Sequence, residues 1–339
     1  MPEELEDLPR EIPAVKARYI AAILEQAVAQ GANLDRILRG TLLAREAVFG
    51  ADAFLPSVCA YAAVERAQRL CGNLQLTAEV AGSWHKPGSL LRVSAGYSPE
   101  SVSDFLLMII KEASAANTGV ESSMSLKADQ VLLRGTRAFS SPHGVGQGDA
   151  WGIAAWVTIM MTLMAEAWDS SRVFAKVADP KAIPPELLPP SQIQKGDKTG
   201  PHLEFPSEWL MAKIAPDALI EQSAYEQTER SPTLQDVFSA FDLRSLPNAE
   251  DVARLLGLTP RTFHRRLAER GTSFSELIDE QREMRACELL KGSTQTVREI
   301  AALLGYRNES SFNRAFKRWR EVSPSVYRAA FYPASTQSN

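Results

Sequence analysis

The feature that most constrains this chain is a near-repeat close to its C-terminus. VARLLGL at 252–258 matches IAALLGY at 300–306, and Phe263-His264-Arg265 matches Phe312-Asn313-Arg314 one residue further out of step. A duplicated supersecondary unit explains such self-similarity, with a turn one residue longer in the second copy.

Each copy obeys the physics of two short helices joined by a tight turn. In the first, Asn248 caps a helix carrying Val252, Ala253 and Leu256, and Gly257 can take the positive φ that the turn demands. Thr259 can cap the next helix, with Pro260 at its first position where a missing N–H does no harm. Phe263 and Leu267 lie one turn apart and face inward, which leaves Arg261, His264, Arg265 and Arg266 off the buried stripe. The second copy repeats this with Ile300, Ala301, Leu304, Gly305, the cap Asn308, and Phe312 and Phe316 inward. Glu309, Ser310, Asn313, Arg314, Lys317 and Arg318 then face outward. Between the copies, residues 274–290 predict a strong helix that sets the spacing of the two units. Two recognition helices about one turn of duplex apart, roughly 34 Å, could enter successive major grooves.

Charge is partitioned accordingly. The chain holds 37 Lys and Arg against 41 Asp and Glu, yet residues 246–332 hold 15 basic against 11 acidic. A basic module joined to an acidic remainder fits a polyanion partner for the module alone. The three cysteines, Cys59, Cys71 and Cys287, form no metal-ligand spacing and no disulfide framework, so a reducing cytoplasm is the expected compartment. The first residues, MPEELEDLPREIP, are acidic and lack the apolar stretch of a secretory signal. Residues 151–168 are apolar throughout but carry Thr158, Thr162 and Glu166 and lack a flanking basic cluster, so a core or dimer-interface helix is expected rather than a membrane span.

The N-terminal portion mixes patterns. Helices are expected at 14–29, at 34–38 behind Asn33, at 56–70, and at 102–110 behind the cap Ser101; strands are expected at 74–80, 90–94, 120–126 and 131–139. Residues 142–149 (PHGVGQGD) read as a connecting loop, since no phosphate-loop pattern surrounds them. The proline-rich stretch 178–200 cannot be one helix, whereas 217–241 reads as helical with a break near Ser231-Pro232. His85, His143 and His202 are isolated and read as ordinary satisfied histidines, and Trp84, Trp151, Trp156 and Trp168 as core.

The stretch 248–327 resembles the DNA-binding domain of the AraC/XylS family of bacterial regulators. REIAALLGYRNESSFNRAFKRWREVSPSVYR carries most of the likeness, with Glu321-Val322 where that family more often has glycine first. The N-terminal portion resembles the arabinose-binding-type domain of one branch of the family, chiefly through HLEFPSEWLMAKI at 202–214. The resemblance implies an α+β N-terminal effector and dimerisation domain at 1–225, a linker helix region at 226–245, and an all-α C-terminal domain with two helix-turn-helix motifs at 246–332. It implies a sequence-specific transcriptional regulator in the bacterial cytoplasm that binds promoter DNA and responds to a small-molecule effector, with RNA polymerase and a second copy of the chain as further partners. No cofactor, metal or catalytic residue is expected, and the effector and its pocket are unknown from sequence. By position, Arg261, His264, Arg265, Glu309, Ser310, Asn313 and Arg314 would meet base edges, arginine by two hydrogen bonds to guanine, Asn313 with adenine and Glu309 with cytosine. Thr259, Arg266, Thr296, Lys317 and Arg318 would meet phosphates. The rival readings are a DNA-repair or other enzyme with a fused DNA-binding domain, which needs an activated cysteine or a metal cluster, and a ligand-independent architectural protein.

Overall fold

The computed structural model describes residues 13–50, 52–84, 91–94, 99–197, 199–214, 219–222, 232–269 and 271–331. The expectations for the first twelve residues, for His85, and for 217–218 and 223–231 of the linker stretch lie outside these.

The chain opens with strand β1 (Ala14–Lys16), which runs straight into helix α1 (Ala17–Ala29) and pairs antiparallel with β2 (Phe54–Pro56). Short helices α2 (Leu34–Leu38) and α3 (Arg45–Val48) lie between them, and α4 (Ser57–Cys71) follows. Asn33 caps α2 by accepting from the Arg36 N–H, as its position predicts. Helix α5 (Leu76–Trp84) occupies the stretch whose alternation suggests a strand. Asn73 Oδ1 accepts from the Gln75 N–H just ahead of it, and Leu76, Ala78, Val80 and Ala81 are buried. Alternation over seven residues coincided with a helix apolar on more than one side, and packing decided the outcome.

Strand β3 (Leu91–Ser94) precedes α6 (Val102–Ala116), whose Ser101–Asp104 capping box satisfies the backbone N–H groups of both of these residues. Strands β4 (Val120–Lys127) and β5 (Gln130–Arg137) form a hairpin about Ala128-Asp129. Helix α7 (Gly146–Met164) follows, so the last four residues of the glycine-rich segment are its first turn rather than loop. Apolar and long enough by composition to cross a membrane, α7 is instead mostly buried against the sheet and against α4 and α5, as a core helix should be. Strand β6 (Phe174–Val177) precedes the proline-rich excursion, which holds β7 (Ile193–Lys195) among 3-10 turns, and β8 (His202–Pro206) completes a five-stranded sheet ordered β4-β5-β8-β6-β7. Residues 219–222 form β9, parallel to β3, not a helix.

A buried polar knot holds the start of α7. Gln147 donates to the Leu74 carbonyl and accepts from Thr77, its N–H donates to Glu65, and the Asp149 carboxylate pairs with Arg137 of β5 while accepting from the Ala178 N–H. Burial raises the Glu65 carboxyl above the ordinary carboxylate range. Gly148 leaves room for the Tyr61 ring, where a Cβ would stand 2.4 Å from a ring carbon. Gly148 thus serves close packing.

Helix α8 (Leu234–Ser239) is capped by a Thr233–Asp236 box and leads to a 3-10 turn at Leu243–Ser245. Between them the chain lies along the N-terminal part: the Ala44 N–H donates to Ala240, and the Asp242 N–H to Leu42. Leu234, Val237, Phe238 and Phe241 therefore join the α1–α4 core to the next helices in one apolar cluster. A second cluster lies between the sheet and α6–α7.

Candidate nucleic-acid interface

The first repeat unit is α9 (Ala249–Leu255) and α10 (Pro260–Glu269); the second is α12 (Val297–Leu303) and α13 (Glu309–Arg320). Their turns open on the same two backbone bonds, and the second then runs one residue longer, through Arg307, before its cap. Gly257 donates to Arg254 at 3.1 Å and Leu258 to Ala253 at 2.8 Å; Gly305 donates to Ala302 at 3.1 Å and Tyr306 to Ala301 at 2.9 Å. Both glycines take the positive φ predicted for them, +69° and +76°. Thr259 accepts from the Thr262 N–H and Asn308 from the Ser311 N–H, so each second helix starts on a side-chain cap. Phe263 and Leu267, like Phe312 and Phe316, are buried as their spacing requires.

Helix α11 (Phe274–Gly292), started by a Ser273–Glu276 capping box, is the spacer. Its N-terminal half buries Leu277 and Ile278 with the first unit, and its C-terminal half buries Ala286, Cys287 and Leu290 with the second. One unbroken helix of 19 residues, about 28 Å long, thus belongs to both cores and fixes their separation. The last helix, α14 (Pro324–Phe331), packs on α11 and α13.

Arg261, His264 and Arg265 are exposed on α10, and Arg266 is half-buried. Arg265 pairs with Glu269 at 2.5 Å, an exposed one-turn ion pair of the kind worth at most about 1 kcal/mol. On α13, Glu309, Ser310, Arg314 and Lys317 are exposed and Asn313 is half-buried. Arg318 is also exposed, but its guanidinium bonds to Asp279 of α11 at 2.6 Å, and Arg320 bonds to Glu283 of the same helix at 2.7 Å. Arg318 therefore braces the second unit to the spacer, a role that spacing within α13 does not disclose. Thr259 and Thr296 are exposed at helix starts, Thr296 in a capping box with Glu299. Arg298 and Arg307 are exposed cations that the pattern did not single out; Arg307 directly precedes the Asn308 cap of α13.

Glu321 ends α13 with φ +62°, the left-handed position that glycine prefers. The residue that departs from the family pattern thus stands where the departure costs backbone strain.

Elsewhere, Cys59 is buried and its thiol is pushed up to about 12 by burial, the reverse of nucleophile activation. Trp156 is buried, while Trp151 and Trp168 are half-buried against Tyr19 and Trp209 respectively. His143 is exposed. His202 is half-buried and differs from expectation, since its Nε2 is buried with no hydrogen-bond partner among the described residues. It lines a depression of about 280 Å³ on the uncovered face of the sheet, with Phe174, Lys176 and Glu204 among its neighbours.

Two helix pairs flank one stiff spacer, and residues 252–330 match the model of a helix-turn-helix domain. An HTH-type transcriptional regulator of Mycobacterium tuberculosis is 48% identical over 81 residues, 24% of each chain. The ornithine utilization regulator of Pseudomonas aeruginosa is 37% identical over 139 residues, 38% of this chain and 41% of that one. The chain thus spans about a quarter to two fifths of the length of these relatives. Among solved structures, transcriptional regulator CdpR from P. aeruginosa is 19% identical with a TM-score of 0.28, covering 86% of this chain and 96% of its own. The DNA-binding domain of AdpA, solved with a target DNA, is 32% identical with a TM-score of 0.25, covering 28% of this chain and 87% of its own.

Proposed function

We propose that this chain is a sequence-specific DNA-binding transcriptional regulator of the AraC type, controlled by a small-molecule effector in its N-terminal domain. The observation that carries the reading is that each second helix starts on a side-chain cap, Thr259 or Asn308, and holds Arg265 or Arg314 at the same distance from it. In this reading residues 246–332 bind DNA, 226–245 link, and 1–225 take the effector and act in the bacterial cytoplasm. Arg261, His264, Arg265, Glu309, Ser310, Asn313 and Arg314 face base edges. Thr259, Arg266, Thr296 and Lys317 face phosphates, and Arg318 does so only by leaving Asp279. RNA polymerase is the further partner that regulation of a promoter requires.

Arg265 exchanges Glu269 for a guanine edge, a favourable trade because an exposed ion pair is weak and a bidentate base contact is worth about 1–3 kcal/mol. In titrations of the full chain on duplex DNA, Arg265→Ala and Arg314→Ala should each lose that amount and relax base choice at one position only. Lys317→Ala should weaken all sequences alike and flatten the salt dependence by about one counterion. If the arginine variants instead weaken every sequence equally, the arginines hold phosphates and the base-reading assignment is wrong.

A further inference from the structure

Strand β4 is an edge of the five-stranded sheet, and its backbone has an open side that can be identified residue by residue. The Gly135 and Arg137 N–H groups donate to Pro201 and Thr199, and Asp129 accepts from the Ser207 N–H, so odd-numbered residues of this hairpin arm face β8. Even-numbered residues of β5 therefore face β4; the Ala138 N–H donation to Gly119 has the same sense. The register pairs Glu121 with Thr136, Ser123 with Arg134, Ser125 with Leu132 and Lys127 with Gln130. Those β4 residues close the ladder, and the N–H and C=O groups of Ser122, Met124 and Leu126 point off the edge, where no backbone group of the described residues meets them.

Natural edges are protected by brevity, charged side chains, proline, bulges or a covering element, and the only charges on β4 are Glu121 and Lys127. This one is eight residues long (VESSMSLK), is paired without a bulge and contains no proline. Leu126 at its end is 66% exposed, and Leu107 of α6, the helix packed against β4, is 55% exposed.

The strand is also complementary to itself. A two-fold axis normal to the sheet must pair residues of the same face. Centred on Met124, it places Ser122 opposite Leu126 of the second copy in a hydrogen-bonded pair, and Met124 opposite its own mate. Glu121 then stands opposite Lys127 of the second copy, twice, in non-hydrogen-bonded pairs where side chains approach most closely. Centring on Ser122 or Leu126 instead breaks both charge pairs, so the charges select one register.

We propose that β4 joins β4 of a second copy of this chain, making one continuous ten-stranded antiparallel-jointed sheet across a two-fold axis. The proposal does not rest on the DNA-binding reading. It is tested by sedimentation of the full chain over a concentration series. Wild type should form a dimer. Glu121→Lys and Lys127→Glu should each raise its dissociation constant about tenfold, because each sets like charges opposite one another at two places. The double exchange should restore it. Met124→Pro should abolish the dimer and leave the circular dichroism spectrum intact, since its N–H lies outside the ladder with β5. A wild type that stays monomeric throughout, or a dimer indifferent to all four variants, would overturn the proposal.

Discussion

Replacing Arg137 by alanine should destabilise the protein by about 3–5 kcal/mol, the cost of leaving a buried charge without its partner. The side chains of Arg137 and Asp149 are 2% and 0% exposed, so water cannot substitute for the lost guanidinium. Asp149 would keep only the Ala178 N–H, and the pair sits where β5, α7 and the proline-rich segment meet. Tyr61, half-buried beside Arg137, would lose a neighbour too; desolvation already raises its phenol far above the ordinary value. Equilibrium urea unfolding measures the effect as a lower midpoint at unchanged slope. A loss below about 1 kcal/mol would mean that the site relaxes and hydrates, with a cost nearer that of an exposed pair.

Phe238→Ala should cost a similar amount, about 3–5 kcal/mol, because a fully buried aromatic ring leaves a cavity that its surroundings fill only in part. Phe238 is 0% exposed and packs on Phe241 at 5.9 Å and Phe274 at 5.8 Å, one on each side of the joint between the N-terminal helices and the first repeat unit. The cavity would therefore open between two parts of the chain that sequence reading treats as separate domains. Urea unfolding should register the whole loss in one transition, and a nearly neutral substitution would show that the shared cluster does not hold the parts together. The carbonyl of Leu243 bears on the second unit in the same way. A Cβ on Gly305 would stand 2.2 Å from that oxygen, so the turn glycine is required twice, for its φ and for the linker's approach.

The C-terminal domain was legible because local rules carry it. Caps, turn glycines and paired aromatics recur in the same order, and the folded units place each of them as its local rule requires. The N-terminal portion was legible as an α+β mixture, with Ser101, Asn33 and the β4–β5 hairpin all found in place. It failed where neighbours decide. Residues 74–80 alternate like a strand, yet they pack as a helix against α7, and Thr77 bonds to Gln147 from 70 positions away. Residues 219–222 pair with β3, a partner that a local window cannot contain. Nor does periodicity show that Arg318 is held by Asp279, or that the linker lies along Leu42–Ala44, since both are contacts between elements remote in sequence.

Under the proposed function, the two helix pairs held apart by α11 each read a short block of duplex. Selecting tight binders to the full chain from a pool of randomised duplexes is the direct test. The account predicts two specified blocks separated by about one helical turn, with Arg265→Ala blurring one block and Arg314→Ala the other. Recovered sequences with no common blocks, or a single block that both variants leave sharp, would contradict it.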